Sequence, residues 1–79
     1  MTGVINNMKD VFINKEPVEL FKILKFEGIA SSGSEAKDMI AAGTVLVNGV
    51  IENQKRKKMV AGDTIELNGE IFRLKLGAN

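Results

Sequence analysis

Two groups of residues have the types and spacing for one kind of chemistry, the binding of anions. Lys55, Arg56, Lys57 and Lys58 are consecutive, and no acid lies between Glu52 and Asp63 to offset them along the chain. Four adjacent cations cannot all pack inward, so they project into solvent from a loop or a strand edge. The second group is Ser32, Gly33, Ser34 and Lys37. Ser32 with Glu35 three residues later is a capping box, in which the serine oxygen and the glutamate each satisfy a free backbone N–H, so a helix begins there. The remaining N–H groups and the dipole of a helix start attract an anion, and the hydroxyls of Ser32 and Ser34 and the ammonium of Lys37 stand close by. Phosphate suits this set better than a carboxylate.

The composition removes most other chemistry. The 79 residues include no cysteine and no histidine, which excludes a disulfide, a thiolate nucleophile, the commonest general base and the commonest metal ligand. Glu16, Glu19, Glu27, Glu35, Asp38 and Glu52 show no paired pattern suited to acid–base work or to a cation. No catalytic residue, metal or cofactor is therefore expected. The net charge of +1 conceals a segregation: residues 1–54 carry five lysines against seven acids, and residues 55–79 carry six basic residues against three. Arg73 and Lys75 belong to that basic part and are candidates to extend the patch. The apolar runs are too short to span a membrane and the first residues lack a secretory pattern, so a cytoplasmic protein is expected.

The elements that must position these residues follow from period and punctuation. Residues 10–14 alternate, with Val11 and Ile13 on one side of a strand and Phe12 on the other. Pro17 suits the first turn of a helix whose apolar face is Val18, Leu20, Phe21, Ile23 and Leu24, and Gly28 ends it. The helix capped by Ser32 runs to about Ala42 before Gly43, burying Ala36, Met39 and Ile40. Two β-rich stretches then flank Asn48 and Gly49, and two more flank Asn68 and Gly69, each pair favoured in a tight hairpin turn. In the second hairpin Ile65, Leu67, Phe72, Leu74 and Leu76 share one face, with Thr64, Glu66, Arg73 and Lys75 on the other; Ile71 breaks the alternation. The hairpins are not a repeat, because nothing resembling the helices recurs. The order predicts an α+β fold: two N-terminal helices packed on a small, mostly antiparallel sheet with a short leading strand. A single domain is expected over residues 9–76, with residues 1–8 and 77–79 as flexible ends. Nothing signals an oligomer, so a monomer is expected.

The stretch SSGSEAKDMIAAGTVLVNG from Ser31 to Gly49, the stretch VAGDTIEL from Val60 to Leu67, and Leu20 and Leu24 ahead of Gly28 together resemble the RNA-binding domain of the ribosomal small-subunit protein S-four family. Lys37 and the segment QKRKK ending at Lys58 are closest to its free-standing YbcJ-like subgroup of short bacterial proteins. The resemblance implies an αL motif, in which two helices and a following hairpin-like loop form an L whose surface meets RNA. Ser32, Gly33, Ser34, Lys37, Lys55, Arg56, Lys57 and Lys58 are then the expected RNA-binding residues, with Asn48, Arg73 and Lys75 as further candidates. Asn48 already has a sufficient role in its turn. Gly33 departs from the family, many of whose members place an arginine after the capping serine. The chain has no tyrosine or tryptophan, and core packing is expected for all four phenylalanines. Recognition of structured RNA, ribosomal or transfer RNA included, by shape, phosphates and 2′-hydroxyls follows. The same basic run also suits a protein-interaction adaptor using the loop or a sheet edge. A ubiquitin-like sulfur carrier fits less well, because the chain ends Gly77, Ala78, Asn79 and not in paired glycines.

Overall fold

In the computed structural model, which describes residues 7–77, the alternation around Phe12 becomes strand β1, Asn7–Ile13, with Val11 and Ile13 buried and Phe12 outward. The strand starts before Asp10 because its partner supplies what the side chains do not. It runs parallel to the last strand, β7 (Glu70–Leu76), in continuous register from Asn7 beside Glu70 to Ile13 beside Leu76. Asn7 and Met8 are thus part of the sheet, and the N–H of Gly77 donates to the carbonyl of Ile13 at 2.9 Å. The rest of the expected flexible ends, residues 1–6 and 78–79, lies outside the described residues.

The α+β class holds, with two corrections. The sheet is mixed: its order is β1, β7, β6 (Thr64–Leu67), β3 (Leu46–Val47) and β4 (Val50–Ile51), antiparallel throughout except between β1 and β7. The helices are not N-terminal, since α1 (Leu20–Phe26) and α2 (Gly33–Ala41) follow a seven-residue strand that is a full member of the sheet. Leu20, Leu24, Ala36 and Ile40 are fully buried and meet Val47, Ile65, Leu67, Phe72 and Leu74 in one apolar core. Among the described residues no polar or charged side chain is buried.

A second sheet escapes any sequence pattern. Two-residue strands β2 (Val18–Glu19) and β5 (Lys58–Met59) pair antiparallel, Val18 with Met59 and Glu19 with Lys58. Pro17, joined to Glu16 by a cis peptide bond, accordingly precedes a strand and not the first helical turn. Leu76, expected inside, is exposed: the segment before β6 follows β7 as far as Leu74, which exchanges backbone hydrogen bonds with Asp63 and Gly62, and Leu76 lies beyond it. Ile71 finds its reason in register: it stands on the outer face of the sheet in a cross-strand row with Met8, Glu66, Leu46 and Ile51, so neighbours on the adjacent strands half-cover it.

Both hairpins turn as expected. Asn48 and Gly49, and Asn68 and Gly69, all have positive φ, the signature of the turn whose twist matches the flanking strands. Asp63 does more than complete a turn. One carboxylate oxygen accepts from the Val60 N–H at 3.0 Å and the other from the Asn48 side-chain amide at 3.1 Å, joining the loop before β6 to the first hairpin. Asp63→Ala is expected to cost about 2 kcal/mol by deleting both charge-assisted bonds, read as a lower urea midpoint with an unchanged slope. An unaltered midpoint would show that the two bonds carry no net stability.

Candidate nucleic-acid interface

The two helix starts are capped by opposite strategies. At α2 the cap is local: Ser32 Oγ accepts from the Glu35 N–H at 3.1 Å, and the Glu35 carboxylate turns back to accept from the Ser31 N–H, one residue earlier than the usual reciprocal bond. The Ser31 backbone N–H, and after it the Ser31 hydroxyl, hold the Glu35 carboxyl below the usual carboxylate range. The N–H groups of Gly33 and Ser34 have no hydrogen bond among the described residues, so the helix start keeps two donors toward solvent.

At α1 no side chain caps the helix. The N–H of Leu20 donates to the carbonyl of Lys57 at 2.9 Å, and that of Phe21 to the carbonyl of Lys55 at 3.1 Å. The tetrabasic run is therefore the cap of α1, bound to it through the backbone carbonyls of Lys55 and Lys57. Lys55, Arg56 and Lys58 are exposed and Lys57 is half-buried; Met59 behind them is fully buried and anchors the segment.

Phe21 joins the two groups. The Lys37 Nζ from α2 lies 4.6 Å from the centre of its ring, and the Arg56 guanidinium 5.2 Å from the same centre, both inside the range of cation–π attraction. A Cβ built on Gly33 would meet the ring edge at 3.6 Å. The helix start, Lys37 and the basic run thus share one surface with Phe21 as its floor.

Three expectations change. Arg56 is not free of acids: its guanidinium meets the Glu19 carboxylate at 3.2 Å, and Lys22 shares that carboxylate at 3.6 Å. Exposed pairs of this kind contribute at most about 1 kcal/mol to stability, and Glu19 offsets one of the positive charges at this surface while it orients Arg56. No ion pair among the described residues involves Lys37, Lys55, Lys57 or Lys58. Arg73 and Lys75 do not join this surface. They face away from the buried Phe72 and Leu74, on the side of the sheet opposite the helices, and Lys75 pairs with Asp10 at 3.2 Å. Asn48 is likewise committed, its amide donating to Asp63 and accepting from the N–H of Thr64 at 3.0 Å. Sequence reasoning missed Phe21 and Glu19, whose roles are tertiary and have no local signal.

Two helices of which the second is locally capped, a hairpin sheet beneath them, and cations gathered at the helix starts define an αL-type module. The chain belongs to the S4 domain family, whose pattern it matches over residues 11–75. It is similar to YbcJ of Escherichia coli (strain K12), 48% identical over 58 residues, which cover 72% of this chain and 83% of that one. It is also 32% identical over 59 residues, covering 75% of this chain and 83% of the relative, to a Bacillus subtilis (strain 168) protein named as a probable ribosome maturation protein, RlbA. The solution structure of E. coli YbcJ, described as revealing an αL motif involved in RNA binding, superposes with a TM-score of 0.65 at 41% identity over 94% of this chain and 95% of that one.

The lowered Glu35 carboxyl has a testable consequence. A group whose value falls on folding contributes stability above its unfolded value and loses it as the pH drops through the folded one. The Glu35→Gln variant should therefore lose stability less steeply than the parent on acidification below the ordinary glutamate range, measured by thermal unfolding across pH. Parallel curves would mean that the carboxylate is not bound in the native cap.

Proposed function

We propose that this protein binds structured RNA, without chemistry of its own, by laying phosphates against the surface around Phe21. The observation that carries this reading is the convergence of Lys37 and Arg56, nineteen positions apart in the chain, on one ring. Lys37, Lys55, Arg56, Lys57 and Lys58 neutralise phosphates, while the N–H groups of Gly33 and Ser34, with the Ser32 and Ser34 hydroxyls, donate to one phosphate or ribose group. The αL motif of YbcJ supports RNA as the polyanion, and the name of the B. subtilis relative favours ribosomal RNA. Binding through the backbone carries little sequence information, so the folded shape of the RNA supplies the selectivity.

A protein-interaction adaptor keeps one supporting observation, the open edge of β4, where Val50 is 68% and Ile51 55% exposed. Recovery of cellular partners that survives nuclease, together with no binding of purified RNA, would favour it.

Counterion release gives the direct test. With about five phosphates neutralised, affinity should fall on the order of a hundredfold between low and moderate salt, and replacing residues 55–58 together by glutamine should weaken binding of all RNA sequences while preserving the fold. A flat salt response contradicts the reading. Gly33 offers a gain of function: an added Cβ makes only ordinary contacts with Phe21 and Lys25. Gly33→Arg should tighten binding and steepen the salt slope by about one; an unchanged slope would place the phosphates elsewhere.

A further inference from the structure

The four phenylalanines do not all belong to the core. Phe26, the last residue of α1, is 67% exposed, and Phe12 on β1 is 40% exposed. Both line an open groove of about 780 Å³ between the outer side of α1 and the C-terminal end of β1. Lys15, Lys22 and Lys58 also line it. Lys58 is at the same time the last cation of the basic run, so the groove continues the surface proposed for phosphates. Three acids border it. Asp10 is paired with Lys75 and Glu19 with Arg56 and Lys22, leaving Glu27 alone without an ion pair among the described residues.

We propose that this groove receives one unstacked nucleotide of the bound RNA, its base lying on Phe26 and its phosphate held by Lys58 with Lys15 or Lys22. The proposal rests on the RNA reading above and narrows its substrate class to folded RNA with an unpaired nucleotide beside a stem. An exposed ring flanked by cations is the recurrent platform for a base and its phosphate, because every base has a face to stack while the sugar–phosphate remains at the rim. Lys25, whose Nζ lies 5.2 Å from the centre of the Phe26 ring, adds charge beside that ring. A continuous duplex cannot use this platform, since its bases are already stacked on one another.

Two labelled RNA hairpins separate the possibilities, identical except for a single bulged adenosine beside the stem, measured by fluorescence anisotropy at fixed salt. The parent protein should bind the bulged hairpin about tenfold more tightly, the worth of one stacked base. Phe26→Ala should erase that preference and leave the paired hairpin's affinity unchanged, its thermal midpoint serving as the check on folding. An abasic bulge should abolish the preference with the protein unaltered, which tests the same contact without any variant. Equal affinity of the parent for both hairpins would overturn the nucleotide site while leaving RNA binding standing. Failure to bind either hairpin would overturn both.

Discussion

Helix α1 begins without a side chain to satisfy its first N–H groups, and the carbonyls of Lys55 and Lys57 satisfy two of them instead. Unpaired donors at a helix start are costly wherever water is displaced, so this backbone exchange fixes the path of the basic segment. Four like charges in a row repel one another and would otherwise favour an extended, mobile loop. Here the carbonyls of Lys55 and Lys57 are held, and among the described residues no ion pair involves Lys55, Lys57 or Lys58. The anchoring of Met59 in the core and the pairing of β2 with β5 complete the attachment.

Once the segment is held there, the rest of the surface follows from reach. Arg56 falls across Phe21 and against Glu19, and Lys37 arrives from the next helix onto the same ring. Phe21 therefore serves two ends: its 8% exposure marks it as a core residue, and its outward face gathers two cations that would repel each other in water. The opposite side of the sheet has another character. There Arg73, Lys75 and Asp10 mix with the row of Met8, Ile71, Glu66, Leu46 and Ile51, and Lys75 pairs with Asp10. Segregation of charge by face, more than the small net charge, is what the fold makes of the sequence.

Reading the chain residue by residue reached those parts of the fold whose causes are local. Ser32 and Glu35 announce a helix because a capping box closes within one turn, and Asn48 with Gly49 and Asn68 with Gly69 announce hairpins because positive φ is cheap only for such residues. Strand β1 was legible at Val11 and Ile13 but not at Met8, whose place depends on β7 more than sixty positions away. Pro17 misled because its usual place in a first helical turn is a statement about local geometry, and here pairing with β5 takes precedence. Phe26 is expected in the core on the general habit of aromatic residues, yet it falls at the end of a seven-residue helix, beyond the last residue that packs inward.

By itself, then, the sequence determined the helix cap, the two turns, the apolar faces, the absence of cysteine and histidine chemistry and the clustering of four cations, all of which act between residues a few positions apart. Tertiary structure alone decided that α1 would be capped by that cluster, that Glu19 and Phe21 would receive Arg56, that Arg73 and Lys75 would face away, and that Phe12 and Phe26 would border a groove. The physical reason is the same in each case: these contacts join residues distant in the chain, and no local period or spacing encodes which backbone carbonyl will meet an orphaned N–H.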